Sequence, residues 1–237
     1  MPVEECGNAI LCVYALCHYT GNVSYAEKHL APLKKWADYL IENGLDPQNQ
    51  LCTDDFAGHL AHNCNLSAKA IMGIYGFGKI QELLGNKEEG EKYVNTAKKY
   101  AREWQSKADD GDHYRLAFGS EDTWSLKYNL VWDRIFDWGI FDNEVFEKER
   151  RYYMQKFNTY GLPLDCRSDY TKSDWLMWST MLFDDEEYTG RIIETIWNML
   201  NDTPNRIPFT DWYHTTDARQ AGFQNRTVQG GLFINLI

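Results

Sequence analysis

Positive charge is scarce in this 237-residue chain: 24 Lys and Arg stand against 35 Asp and Glu, a formal net charge of −11. A surface of that sign repels phosphate backbones and anionic headgroups, so nucleic acid and anionic membranes are not expected partners. Long apolar runs are missing too, and none approaches the roughly 18 residues of a membrane span. Cysteine is present without a CxxC pair or a zinc-type spacing to His. Cys6, Cys12, Cys17, Cys52, Cys64 and Cys166 therefore read mostly as buried thiols and leave the compartment open. No GxSxG frame surrounds Gly119-Ser120, which removes the usual turn for a serine nucleophile. Met1 runs straight into Pro2-Val3-Glu4-Glu5 with no leader pattern, and this opening reads as a cut into a longer protein.

What is plentiful is apolar helix. With 43% hydrophobic and 15% aromatic residues, residues 1–237 suffice for one domain with a large core. Periodicity predicts helices at about 9–19, 66–84, 126–137, 172–182 and 228–237, each apolar all round as a buried inner helix would be. Amphipathic helices at about 32–43, 87–105, 144–157 and 186–201 alternate with them. Pro32 suits a first turn, Gly44 a C-terminal cap, and Asn65 an N-terminal cap. Gly73, Gly76 and Gly78 mark close packing of a neighbour. Strand signals are weak, with a short hairpin around 113–118 the one candidate. The expected fold is all-α: helical hairpins with inner helices wrapped by outer ones, an α/α toroid.

A loop rich in carboxylates, amides and aromatics precedes each predicted inner helix, which would gather these loops on one face. Asp54-Asp55 is the foremost chemical candidate. With Glu4-Glu5 nearby it would share one proton, giving an acid and a base at neutral pH. Asp55 is preferred within its pair, and at most one of Glu4 and Glu5 faces the cleft. The alternative for Asp54 and Asp55 is a loop cap. Lys127, Arg167, Lys172 and Arg226 are candidates to bind an anionic group, against the alternative of pairing with loop acids. Trp124, Trp175, Asp211 and Trp212 complete the substrate-binding candidates. The other tryptophans, Trp36, Trp104, Trp132, Trp138, Trp178 and Trp197, read as core.

His59 and His62 lack a third metal ligand, and Asp109-Asp110-Gly111-Asp112 reads as a solvated acidic turn, so no metal or cofactor is called for. Ser125 with Lys127 and Thr171 with Lys172 are hydroxyl–amine pairs whose spacings do not share a helix face. Water activated by a carboxylate is the preferred nucleophile.

Several segments together resemble the glutaminase A family. They are Pro2-Val3-Glu4-Glu5-Cys6-Gly7-Asn8, Cys52-Thr53-Asp54-Asp55-Phe56-Ala57-Gly58, Gly111-Asp112-His113-Tyr114, Trp124-Ser125-Leu126-Lys127-Tyr128-Asn129, Gly161-Leu162-Pro163-Leu164-Asp165, Tyr170-Thr171-Lys172-Ser173-Asp174-Trp175 and Asp211-Trp212-Tyr213. The resemblance runs in order along nearly the whole chain. It implies a six-hairpin toroid of the glycosidase-like superfamily and hydrolysis of L-glutamine to glutamate and ammonia, in a secreted or periplasmic protein. It implies no catalytic residue assignment. Six hairpins exceed the helices visible, so the ring is expected to be incomplete. An upstream part of the same protein or self-association would cover it, and this chain alone would be inactive. Two other readings stay open: a glycoside hydrolase with paired carboxylates, and a ligand-binding domain without catalysis.

Overall fold

The computed structural model describes residues 1–206 and 208–237. They form helical hairpins with one small sheet, in two compact units. One comprises residues 1–108, 117–120 and 138–141, and the other residues 109–116, 121–137 and 142–237.

The first unit is built on α1 (Pro2–Thr20), α2 (Ser24–Lys28), α3 (Leu30–Asn43), α4 (Cys64–Leu83) and α5 (Lys87–Ala108). Helix α1 starts at Pro2, so the expected loop Pro2–Asn8 is its first two turns. Pro at the first position loses no hydrogen bond, and Glu4 and Glu5 sit where the helix dipole favours anions. Its buried residues Val3, Gly7, Ile10, Tyr14 and Cys17 follow a single stripe. Leu16 and Tyr19 are exposed, which corrects the expectation of a helix buried all round. Helix α4 fits that description instead, with burial around its whole circumference from Cys64 to Gly78. Its cap is Asn63 rather than Asn65: the Asn63 side chain accepts from Asn65 N at 2.9 Å and Leu66 N at 3.1 Å. Outer helices α3 and α5 are tied by Tyr93, whose hydroxyl donates to Asp38 at 2.5 Å.

Hairpin α4/α5 depends on two facing glycines. A Cβ on Gly78 would lie 2.9 Å from Gly90 O, and one on Gly90 would lie 2.8 Å from Gly78 O. Backbone meets backbone there, so neither side has a flexible group that could yield. Gly90→Val is expected to lower stability by about 1–3 kcal/mol or more, read as a drop in Tm. An unchanged melting curve would refute this account of the crossing.

The second unit holds α6 (Val131–Ile135), α7 (Asn143–Tyr153), α8 (Ser173–Thr180) and α9 (Glu186–Asp202). Strands β1 (Tyr170–Lys172), β2 (Trp212–His214) and β3 (Gln220–Gly222) make an antiparallel sheet in that order. The sheet was not expected, and it takes Lys172 out of the helix predicted at 172–182. The predicted 126–137 helix is reduced to a 3-10 turn, Tyr128–Leu130, followed by α6. The last predicted helix is a 3-10 run, Thr227–Leu236; Gly230-Gly231 and Val228 are poor α-helix formers. Instead of a hairpin at 113–118 there are isolated bridges from Tyr114 to Asp109 and from Ala117 to Asn63. Trp104 is fully buried, whereas Trp197 is 64% exposed and is not core. Among the cysteines, Cys17, Cys52 and Cys64 are buried, but Cys12 and Cys166 are exposed. Among the described residues, no helix is long and apolar enough to cross a membrane.

Candidate functional site

Pairing of β1 with β2 sets Lys172 opposite Trp212, beside Asp211. Ser173 N donates to Asp211 O at 3.0 Å, which holds the start of α8 against the same residue. The result is a chain of charges. Lys172 Nζ lies 2.6 Å from Asp211 Oδ2 and 3.1 Å from Asp174 Oδ1. Arg226 closes the far side, donating to both Asp211 oxygens, with Nη2 at 2.6 Å and Nε at 3.3 Å. Lys172, Asp174 and Asp211 are all buried, and Arg226 is partly exposed. Phe223 lies 3.7 Å from the Arg226 guanidinium, ring centroid to carbon, and 5.8 Å from Lys172 Nζ. It holds a left-handed φ of 49°, a costly conformation for an aromatic residue.

The two carboxylates titrate in opposite directions. Burial pushes Asp174 above the usual carboxylate range, and Lys172 offsets this only in part. Burial also acts against the Asp211 anion, but the hydrogen bonds from Arg226 and Lys172 outweigh it and hold that carboxyl below its ordinary value. A carboxyl raised by burial thus stands one ammonium away from a carboxyl that two cations lower. Next to them Tyr128 stacks flat on Trp175, with centroids 4.2 Å apart at 4°. Trp178 meets Trp175 and Trp132 edge to face.

The first unit carries a second buried lysine among carboxylates. Lys69, on α4, donates to Asn8 Oδ1 at 2.6 Å and stands 3.4 Å from Glu4 Oε1. Glu4 Oε2 accepts from Thr53 N at 3.2 Å. Burial pulls the Lys69 pKa down, opposed by the charges of Glu4 and Asp54. Glu4 and Asp54 are buried, while Glu5 and Asp55 are exposed, Asp55 opening a short 3-10 turn through Ala57.

Of the cations proposed from sequence, the structure brings Lys172 and Arg226 together with Asp211. Arg167 instead forms a fork with its neighbour Asp165, Nη2 to Oδ2 at 2.6 Å. Lys127, fully buried, donates to Tyr114 O, Ser125 O and Ser125 Oγ at 2.9–3.1 Å. So Ser125 and Lys127 do meet, in the loop before the Tyr128–Leu130 turn rather than along a helix. Trp124 is buried against Tyr152 and Tyr153. Trp212 packs on Tyr170 and Phe223.

Sequence reasoning missed Asp174 and Lys69. The signal for Lys69 was available: a charged residue inside an otherwise apolar stretch, Ala68 to Tyr75, must be paired if that helix is buried. A cavity of about 1020 Å³ in the second unit is lined by Arg134, Asp137, Phe146, Asp185 and Glu186 among others, and contains none of the lysine-centred groups. No set of three His, Cys, Asp or Glu among the described residues is placed to hold a metal ion.

Residues 1–236 match the family model described as "Glutaminase A six helical-hairpin domain". Relatives include "Glutaminase A" of Aspergillus oryzae, 35% identical over 244 residues that cover 100% of this chain and 35% of the relative. "Probable glutaminase/05536" of Arthroderma benhamiae is 30% identical over 241 residues, covering 88% and 28%. The chain therefore spans about a third of the length of these curated relatives. Its helices, its loops and this match along 1–236 agree: the chain belongs to the glutaminase A six helical-hairpin domain family.

Proposed function

We propose that the protein hydrolyses the side-chain amide of L-glutamine, releasing glutamate and ammonia. The observation that carries this reading is the match along the whole chain to a family and to relatives named for glutaminase. In the reaction, water attacks the amide carbon as a carboxylate takes up its proton. A second carboxyl protonates the nitrogen as the C–N bond breaks. The reading needs one ionised and one protonated carboxyl. Asp54, Glu4, Asp174 and Asp211 all lie buried with a lysine in their surroundings, where local charge and burial decide which form is held. Asp55 and Glu5 stay in the proposal as exposed carboxylates, tested by their amide variants.

A glycoside hydrolase is the competing reading, favoured by the Tyr128–Trp175–Trp178–Trp132 run of aromatic faces. Ammonia release from L-glutamine, measured beside a panel of glycosides, separates the two. Ammonia is the expected product; glycoside turnover without ammonia would replace the glutaminase reading with the sugar one.

A further inference from the structure

Helix α9 carries a glycine that its own packing does not require. Gly190 lies inside Glu186–Asp202, where glycine is less favourable than alanine because its backbone loses more freedom on folding. Gly78 and Gly90 have a reason in the close approach of two backbones. A Cβ on Gly190 would meet nothing within 4 Å. The residue is exposed, and so are Ile193, Trp197 and Leu200, at 50%, 64% and 37%. Their spacing sets all four on one side of the helix. Helix α9 therefore has two apolar stripes, of which the inner one, with Tyr188, Ile192 and Met199, is covered.

The outer stripe runs along two concavities of the second unit. Met177, Ile193, Ile196, Trp197, Leu200 and Leu232 line an apolar groove of about 280 Å³. Gly190 and Ile193 also line the larger cavity, whose wall includes Asp184 and Glu186. Both acids are exposed, and neither has an ion-pair partner among the described residues. At the other end of the helix the exposed Arg206 folds back, donating to Asn201 O and, at 3.3 Å, to Thr203 O. No carboxylate among the described residues matches its charge. Along the stripe the order is anion, notch, Ile193, bulky ring, cation. Run in reverse, that order complements itself.

We propose that this face of α9 binds a second copy of the chain, with the two helices antiparallel about a two-fold axis. A two-fold contact is isologous, so every complementary pair forms twice. With the axis between Gly190 and Trp197, each indole fills the notch over the other copy's Gly190. The two Ile193 side chains meet near the axis, and each Arg206 reaches Glu186 and Asp184 of the other copy. A second copy is the occupant for which the stripe itself supplies both halves of the match, bulk against notch and cation against anion. A single helix face stands at the low end of specific interfaces, below about 1,200 Å² in total, so a micromolar Kd is expected. The pairing stands whether the protein turns over glutamine or a glycoside.

Sedimentation velocity from low to high micromolar concentration should show a reversible monomer–dimer equilibrium. Gly190→Leu fills the notch and should weaken the dimer by about tenfold or more. Its monomer should melt no lower than wild type, because the new side chain enters open space and leucine is the better helix former. Trp197→Ala should weaken the dimer by about the same factor, as loss of a central aromatic anchor does. Arg206→Glu should weaken it too, and adding Glu186→Arg to that chain should restore it, which a folding defect cannot imitate. A chain that stays monomeric at the highest concentration overturns the proposal and leaves the face to a different partner. A dimer indifferent to Gly190→Leu and Trp197→Ala overturns it as well, since the contact then lies elsewhere.

Discussion

Lys172→Met should be among the most destabilising single changes in the second unit, by about 3–5 kcal/mol at neutral pH. For a chain of this size that is a fall in Tm of roughly 6–20 °C. The ammonium lies 2.6 Å from Asp211 and 3.1 Å from Asp174. Without it Asp211 keeps only Arg226, and Asp174 keeps no cation. The pH dependence is specific. Asp211, depressed in the fold, contributes stability that is present above its unfolded value near 4 and is lost as pH falls through its lower folded value. Asp174, raised in the fold, takes up its proton earlier on acidification. The gap between wild type and Lys172→Met should therefore narrow as pH falls, first through Asp174 and then through Asp211. Chemical denaturation at several pH values measures this. A gap independent of pH would mean that Lys172 acts by packing alone.

Lys127→Met is expected to cost a comparable amount, again about 3–5 kcal/mol, for a different reason. Lys127 donates to two backbone carbonyls and the Ser125 hydroxyl, and its ammonium stands 3.8 Å from Glu149 Oε2. Glu149 Oε1 in turn accepts from Tyr114 N at 2.8 Å. One substitution strands a buried carboxylate and removes the donor from two carbonyls. Adding Glu149→Gln should recover part of the loss, since the stranded charge is then gone. A double-mutant cycle with no coupling would contradict this. If Lys127 instead orients substrate, Lys127→Met should keep its Tm and lose affinity.

These two lysines show how much of the fold is legible in the sequence. Helices α4, α5 and α9 could be read closely because a long apolar period leaves few alternatives. The start of α1 reads too late from the sequence because Glu4 and Glu5 look like a loop, although Pro2 with acids just after it is a helix start. Strands of three residues carry too little alternation to be seen, so β1–β3 were missed. Lys172, Asp211 and Arg226 were each chosen as loop charges, but their meeting depends on the register of β1 against β2, a non-local fact. Asp174 was passed over because a carboxylate in the first turn of a helix has an ordinary explanation in the helix dipole. The departure from that explanation is its burial, and burial is set by the run that packs on it.

Gly231 belongs to that run. A side chain there would begin 2.8 Å from Trp178 Nε1 and 3.0 Å from Asp174 Cβ, so only bare backbone fits against this face of α8. The cover has a kinetic consequence. Asp174 is 3% exposed, so its exchange of protons with the medium requires local opening of the fold around it. Segment motions of this kind run from nanoseconds to microseconds, fast beside typical turnover. Enlarging Gly231 would push the run Thr227–Leu236 away from α8, and the carboxyl would drift back toward the behaviour of an ordinary surface aspartate.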